Sequence, residues 1–212
     1  QQALDLLGKT LISPGDKVIV EGPTFLATIQ CFRLYGAELI SAPIDAHGVK
    51  TDELEKLIAE HKPKFVYLIP TFGNPSGATL SLERRKQVLE MAVRHQTLVV
   101  EDDPYGDLYF GEAPPPSLLA LSAQVPGSRE LLAHCGSLSK VLSPGLRVGW
   151  MIAPPELLAK ATMCKQFSDA HTSTFAQATA AQYLKAGRMP ATLARVRAVY
   201  AERAQAMGDA LR

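Results

Sequence analysis

The chain switches repeatedly between two hydrophobic periods. From Gln1 to Ile12, leucines at 4, 7 and 11 fall on one side of a 3.6-residue repeat, which predicts a helix ending near Ser13-Pro14-Gly15-Asp16. Lys17–Glu21 is a short β-branched run and predicts a strand. Phe25–Tyr35 predicts a helix with Gly36 as its C-cap, and Glu38–Ala42 a strand. Thr51 is expected to cap a helix running to about His61. Phe65–Ile69 reads as a buried strand followed by the turn Phe72–Gly77. Ser81 should cap the helix Leu82–His95, and Leu98–Val100 should be a strand running into Glu101-Asp102-Asp103. The proline-rich Ala113–Pro116 predicts an irregular excursion. Leu131–Cys135 and Val148–Ala153 are two more buried strands. Helices are expected over Glu156–Phe167, opened by Pro155, and over Phe175–Lys185, beyond a polar break at Asp169–Thr174. The last segment, Ala191–Arg212, reads as an amphipathic helix rich in alanine and arginine.

Strands alternate with helices through residue 153. That predicts an α/β fold with a mostly parallel sheet covered by helices on both faces. In such sheets the binding residues collect in loops beyond the carboxyl ends of the strands. A chain of 212 residues can bury one substantial core. Hydrophobic residues at 47% and charged residues at 20% point to a soluble globular protein. A net charge of +1 gives no electrostatic case for nucleic acid or a membrane surface. No apolar run approaches the roughly 20 residues of a membrane span, and no signal-peptide pattern opens the sequence. Cys31, Cys135 and Cys164 are far apart and odd in number, which predicts a reducing, cytoplasmic compartment rather than a disulfide framework. The five histidines form no metal-ligand spacing, so no metal is expected.

Four stretches that follow predicted strands carry chemistry. In Gly136-Ser137-Leu138-Ser139-Lys140, a lysine stands beside two serines, and Arg147 comes seven positions later across a Pro-Gly turn. Hydroxyls, a turn and a fixed cation suit a phosphate; the lysine amine can bind a phosphate-bearing aldehyde covalently. Taken alone, this is also a polar loop between buried strands. Phe25, in Glu21-Gly22-Pro23-Thr24-Phe25, can lie flat on a cofactor ring, or simply pack in the core. Asn74, in Asn74-Pro75-Ser76-Gly77, offers an amide donor in a rigid turn, or is an ordinary Asn-Pro turn. Glu101-Asp102-Asp103-Pro104-Tyr105 sets three mutually repelling carboxylates at a strand end, with a tyrosine close by. That pattern suits a cationic ring nitrogen, a metal cluster or a solvated acidic loop.

In order and spacing, these stretches resemble the fold-type I pyridoxal-phosphate enzymes, specifically the class I/II aminotransferases. Glu101–Tyr105 and His171-Thr172-Ser173-Thr174 are similar to the aminoadipate and kynurenine aminotransferase group, whose domain also occurs in MocR-type regulators. The resemblance implies that Lys140 carries pyridoxal 5'-phosphate covalently, with Ser137, Ser139 and Arg147 on its phosphate. It places Asp102 on the pyridine nitrogen, Asn74 and Tyr105 on the phenolic oxygen, and Phe25 on the ring face. Lys140, Asp102 and Tyr105 become the catalytic set. Gln1 aligns just after the family's phosphate-binding turn and joins the cofactor contacts. The implied activity moves an amino group between an α-amino acid and a 2-oxo acid. A β-lyase or decarboxylase on the same fold, and a regulatory effector domain, stay open as alternatives. The resemblance further implies a homodimer, with His171–Thr174 reaching the neighbour's site, and no nucleic-acid or membrane binding by this segment. It makes residues 1–190 the large domain without its N-terminal start, and 191–212 a helix leading toward a small domain that carries the carboxylate-binding arginine. On that expectation the 212 residues alone would not be a competent enzyme.

Overall fold

Period-two alternation sorts the buried side chains into two cores. The computed structural model describes residues 1–212. Its strands are β1 (Lys17–Gly22), β2 (Glu38–Asp45), β3 (Gly48–Val49), β4 (Phe65–Leu68), β5 (Leu98–Asp103), β6 (Leu132–Ser137) and β7 (Gly149–Ile152). Val18 and Val20 of β1, Phe65 and Tyr67 of β4, Val100 of β5, and Ala133 and Cys135 of β6 join one core. Ile19, Val66, Leu68, Val99 and Leu132 join the other. Successive strand residues face opposite ways, so buried runs such as Phe65-Val66-Tyr67-Leu68 require helices on both faces.

The helices supply that cover. The first core is closed by α1 (Gln2–Leu11), α2 (Leu26–Leu34) and α6 (Pro155–Asp169), through Leu4, Leu7, Phe32 and Leu157. The second is closed by α3 (Thr51–His61), α4 (Leu82–His95) and α5 (Leu118–Leu121), through Leu54, Leu89 and Leu118. A small third cluster joins Leu138 and Val141 to Ala180 of α7 (Thr174–Lys185) and to Met189 and Leu193 of α8 (Met189–Ala210). No helix is long and apolar enough to cross a membrane.

The sheet order is β3-β2-β1-β4-β5-β6-β7. Pairings from β2 through β6 are parallel, whereas β3 and β7 run antiparallel at the two edges. The expected mostly parallel α/β sheet is therefore present. Chain order leaves β1 toward β2 on one side and toward β4 on the other, which makes the β1/β4 boundary the topological switch point.

Several local expectations change. β2 continues past Ala42 to Asp45 and turns back into β3, an element that Pro43 and Asp45 hide in the apolar pattern. Gly48 makes that turn at φ +86°, and a Cβ there would meet Leu80 at 2.8 Å. Thr51 is not the cap of α3. Lys50 occupies that position without a side-chain bond, and the Thr51 hydroxyl pairs instead with Gln87 Oε1 at 2.6 Å. Ser81 does cap α4, accepting from the Arg84 amide. β5 extends through all three carboxylates because Glu101, Asp102 and Asp103 pair with His134, Cys135 and Gly136 of β6. The short α5 carries no sequence signal of its own. α8 starts at Met189, so the boundary expected at residue 190 falls inside it, and none of its residues is fully buried.

Candidate active site

The parallel strands β1, β4, β5 and β6 are neighbours, so their carboxyl ends form one edge. The four sequence stretches leave from that edge: Phe25 after β1, Asn74 after β4, Asp102 and Tyr105 at the end of β5, and Ser137–Lys140 at the end of β6. Gln1 is the exposed residue at the N-terminal cap of α1 and makes no side-chain capping bond. Phe25 is half-buried and packs against the first core.

Strand parity separates the three acids. Glu101 is fully buried on the α5 face, where it accepts from the Leu118 and Leu119 amides at 2.7 and 3.1 Å and meets His134 Nδ1 at 2.8 Å. Burial opposes the His134 imidazolium, but the carboxylates of Glu101, Asp103 and Asp102, Glu101 foremost, together outweigh it and the His134 pKa rises. Asp103 caps its own turn, accepting from the Gly106 amide at 2.9 Å. Asp102 lies on the opposite face from both. Its Oδ2 accepts from the Tyr67 hydroxyl at 2.7 Å. Burial raises the Asp102 pKa, and the Tyr67 hydrogen bond only partly offsets it. A carboxylate in that setting is stabilised by an incoming cation.

The Asn74 amide reaches Tyr105 Oη at 3.5 Å, which brings the two expected phenolic-oxygen contacts side by side. Both line a cleft of about 560 Å³ walled by Phe72, Tyr109, Phe110 and Tyr200. The other expected site residues lie outside its lining.

The Lys140 turn is built from backbone and packing. Leu138 and Val141 anchor it in the third cluster, and the Leu138 amide donates to the Val148 carbonyl. Ser137 Oγ accepts from the Ser139 amide at 3.1 Å, and Arg147 Nη1 donates to Ser139 Oγ at 3.3 Å and to the Pro144 carbonyl at 3.1 Å. Arg147 holds φ +54°, an uncommon backbone state for a residue with a side chain. Lys140 stands exposed on this turn. Gly136, just before it, lies against Trp150 of β7, and a Cβ there would fall 2.3 Å from the indole ring.

This donor set fits pyridoxal phosphate. Arg147, Ser137 and Ser139 are chemically suited to a phosphate dianion and Asp102 to a pyridinium, while Lys140 is free to bond an aldehyde. Thr24, beside Phe25, has a buried hydroxyl without a hydrogen-bond partner, as expected where a polar ligand completes the site.

Sequence reasoning missed Tyr67, Thr28, Glu21 and Arg85. Tyr67 and Glu21 sit in apolar runs and read as core. The parity of β4 against β5 was the one available signal, because it puts Tyr67 on the face of Asp102. Glu21 is buried at the end of β1 and accepts from the Ile69 amide at 2.8 Å, across the switch point. Burial pushes its pKa up to about 7.

Fold and site together set a lysine-bearing turn beside a strand-end aspartate on a mostly parallel α/β sheet. The chain belongs to the class I and II aminotransferase family, which it matches over residues 1–212. It is 46% identical to a 2-aminoadipate transaminase of Thermus thermophilus, across 100% of this chain and 52% of that protein. It is 38% identical to aromatic-amino-acid aminotransferase 1 of Thermococcus litoralis, across 100% of this chain and 51% of that one. Among solved structures, an α-aminoadipate aminotransferase of Thermus thermophilus complexed with N-(5'-phosphopyridoxyl)-L-leucine superposes with a TM-score of 0.94 at 43% identity. That match covers 99% of this chain and 53% of the other. The chain thus spans about half the length of the relatives it matches.

Proposed function

We propose that the protein is a pyridoxal-phosphate-dependent aminotransferase acting between an α-amino acid and a 2-oxo acid. The observation that carries this reading is Lys140 on a turn with Ser137, Ser139 and Arg147, at the same sheet edge as the half-buried Asp102. The bound cofactor supplies an electron sink for the electrons left at the substrate's Cα. Arg147 and the two serines hold the phosphate. Asp102 keeps the ring nitrogen cationic, Asn74 and Tyr105 donate to the phenolic oxygen, and Phe25 covers the ring face. Gln1 closes the phosphate end. Lys140 Nζ takes the proton from Cα and returns it on the way to product.

The protein should act as a homodimer, with the His171–Thr174 break contributing to the neighbour's site. Supporting that, Phe167 and Phe175 flank the break and are 86% and 81% exposed. Three free cysteines, two of them buried, suit a cytoplasmic location. The test of the central reading is borohydride reduction of the cofactor-loaded protein and peptide mapping. A pyridoxyl group on Lys140, with amino transfer to a 2-oxo acid before reduction, is the expected result. Label on another lysine overturns the assignment.

A further inference from the structure

Asp102 does not stand alone. Its Oδ2 accepts from Tyr67 Oη at 2.7 Å, and Tyr67 Oη in turn accepts from Thr28 Oγ1 at 3.2 Å. Tyr67 and Thr28 have no solvent exposure. The register makes the alignment a property of the sheet. Tyr67 pairs with Val100, so Asp102 lies one strand over, two residues nearer the site edge and on the same face. The Tyr67 ring is held edge-on by Phe32, with centroids 5.7 Å apart and planes at 86°. Thr28 and Phe32 both come from α2, the helix that follows the Phe25 segment.

We propose that Tyr67 and Thr28 are positioning residues: a buried hydroxyl chain from α2 through β4 that fixes one oxygen of Asp102 and sets how strongly the carboxylate holds a cationic ring nitrogen. The proposal rests on the reading of Asp102 as the pyridinium partner.

The direction of the chain follows from donor counting. A carboxylate can only accept, so the single Tyr67 proton points at Asp102, and Tyr67 has lone pairs left for Thr28. Each donation polarises the next, which makes Tyr67 a better donor than an isolated phenol. Burial and the Asp102 charge hold the Tyr67 pKa well above its ordinary value, so it stays a donor at every working pH. Packing alone does not call for this hydroxyl, since phenylalanine would fill the same space against Phe32. Among the charged side chains around Asp102, Asp103 in β5 raises its pKa and His134 in β6 lowers it. Neither is hydrogen-bonded to it.

The consequence is electronic. Without the Tyr67 hydroxyl, Asp102 becomes a stronger base and draws the ring proton toward itself. The ring is then less cationic, and the nitrogen contributed by Lys140 keeps its proton to higher pH. The experiment uses holoprotein carrying Tyr67→Phe, Thr28→Val or Asp102→Asn. Two quantities are read: the pH midpoint of the visible band of the bound cofactor, and cofactor affinity. Circular dichroism and thermal unfolding report the fold. Tyr67→Phe should raise the midpoint and weaken cofactor binding about tenfold, with Thr28→Val moving both the same way by less. Should Tyr67→Phe not fold, Thr28→Val carries the test. Wild-type midpoint and affinity in the folded hydroxyl variants, while Asp102→Asn shifts both, overturn the proposal and leave the site reading standing. If Asp102→Asn also changes neither, the assignment of Asp102 to the ring nitrogen fails with it.

Discussion

Among adjacent residues of the same charge, chemistry is divided by the direction each side chain takes. Glu101, Asp102 and Asp103 are consecutive in β5, so alternation sends Glu101 and Asp103 to one face and Asp102 to the other. Glu101 is committed to two amides and His134, and Asp103 to the amide of Gly106. Only Asp102 lies on the face of α2. Asp102→Ala should therefore reduce turnover roughly a thousandfold with the cofactor bound more weakly. Asp103→Ala should cost only about 1 kcal/mol of stability and leave most of the turnover. Steady-state kinetics on the two variants decides between them; a larger loss of turnover for Asp103→Ala would mean the register of β5 is wrong. The sequence did show the three acids and the tyrosine after them. It did not show that β5 runs through the acids, because adjacent carboxylates read as a strand end until β6 is there to pair with them.

Polar groups buried between elements fix how the loops of the site leave the sheet. Arg85 has no solvent exposure, although it follows Arg84 in a helix rich in charged residues. Its guanidinium donates to the carbonyls of Leu80, Pro70 and Pro116 and to Thr71 Oγ1, at 2.8 to 3.3 Å. It thereby ties α4 to the loop that carries Asn74 and to the proline-rich excursion. Three of these acceptors are main-chain oxygens, which leave no mark in a sequence. Arg85→Met should lower the unfolding free energy by about 3 kcal/mol, because the carbonyls stay buried without a donor. Urea denaturation checks this, and a loss under about 0.5 kcal/mol would count against it.

Glu21 ties the ends of β1 and β4 together and makes a pH-dependent contribution. Its folded pKa, about 7, lies above the ordinary carboxylate value that it regains on unfolding. Between those two values the native state binds more protons than the unfolded state. The contribution to stability is full below the ordinary carboxylate range and is lost as pH rises through about 7. Glu21→Gln keeps an oxygen for the Ile69 amide and removes the charge. It should stabilise the protein at pH 8 by an amount on the order of 3 kcal/mol and change little at pH 4. Equal effects at both pH values would remove burial of the charge as the cause.

At the level of the whole molecule, the alternation of periods made the sheet and its helical layers legible. The shared edge followed from the rule that parallel strands end on the same side. The faces left outside the sheet were not legible: the last segment reads as an amphipathic helix, yet no residue of α8 is fully buried. Those faces are where the structure departs from a finished surface. Met163, Phe167 and Phe175 are exposed around the His171–Thr174 break, and two phenylalanines more than four-fifths exposed are unusual on a monomer. A second copy of the chain covering this region would bury both rings and bring the break to the neighbour's site edge. Burying two such side chains contributes about 3–6 kcal/mol before the entropy of association, so the pair can decide the assembly state. Phe167→Glu with Phe175→Glu should therefore convert a dimer to a monomer in sedimentation velocity, with the α/β circular dichroism retained. Activity should fall with the dimer if the break serves the neighbouring site. A wild-type protein that sediments as an active monomer, or a double variant that remains dimeric, would place the subunit interface elsewhere or remove it.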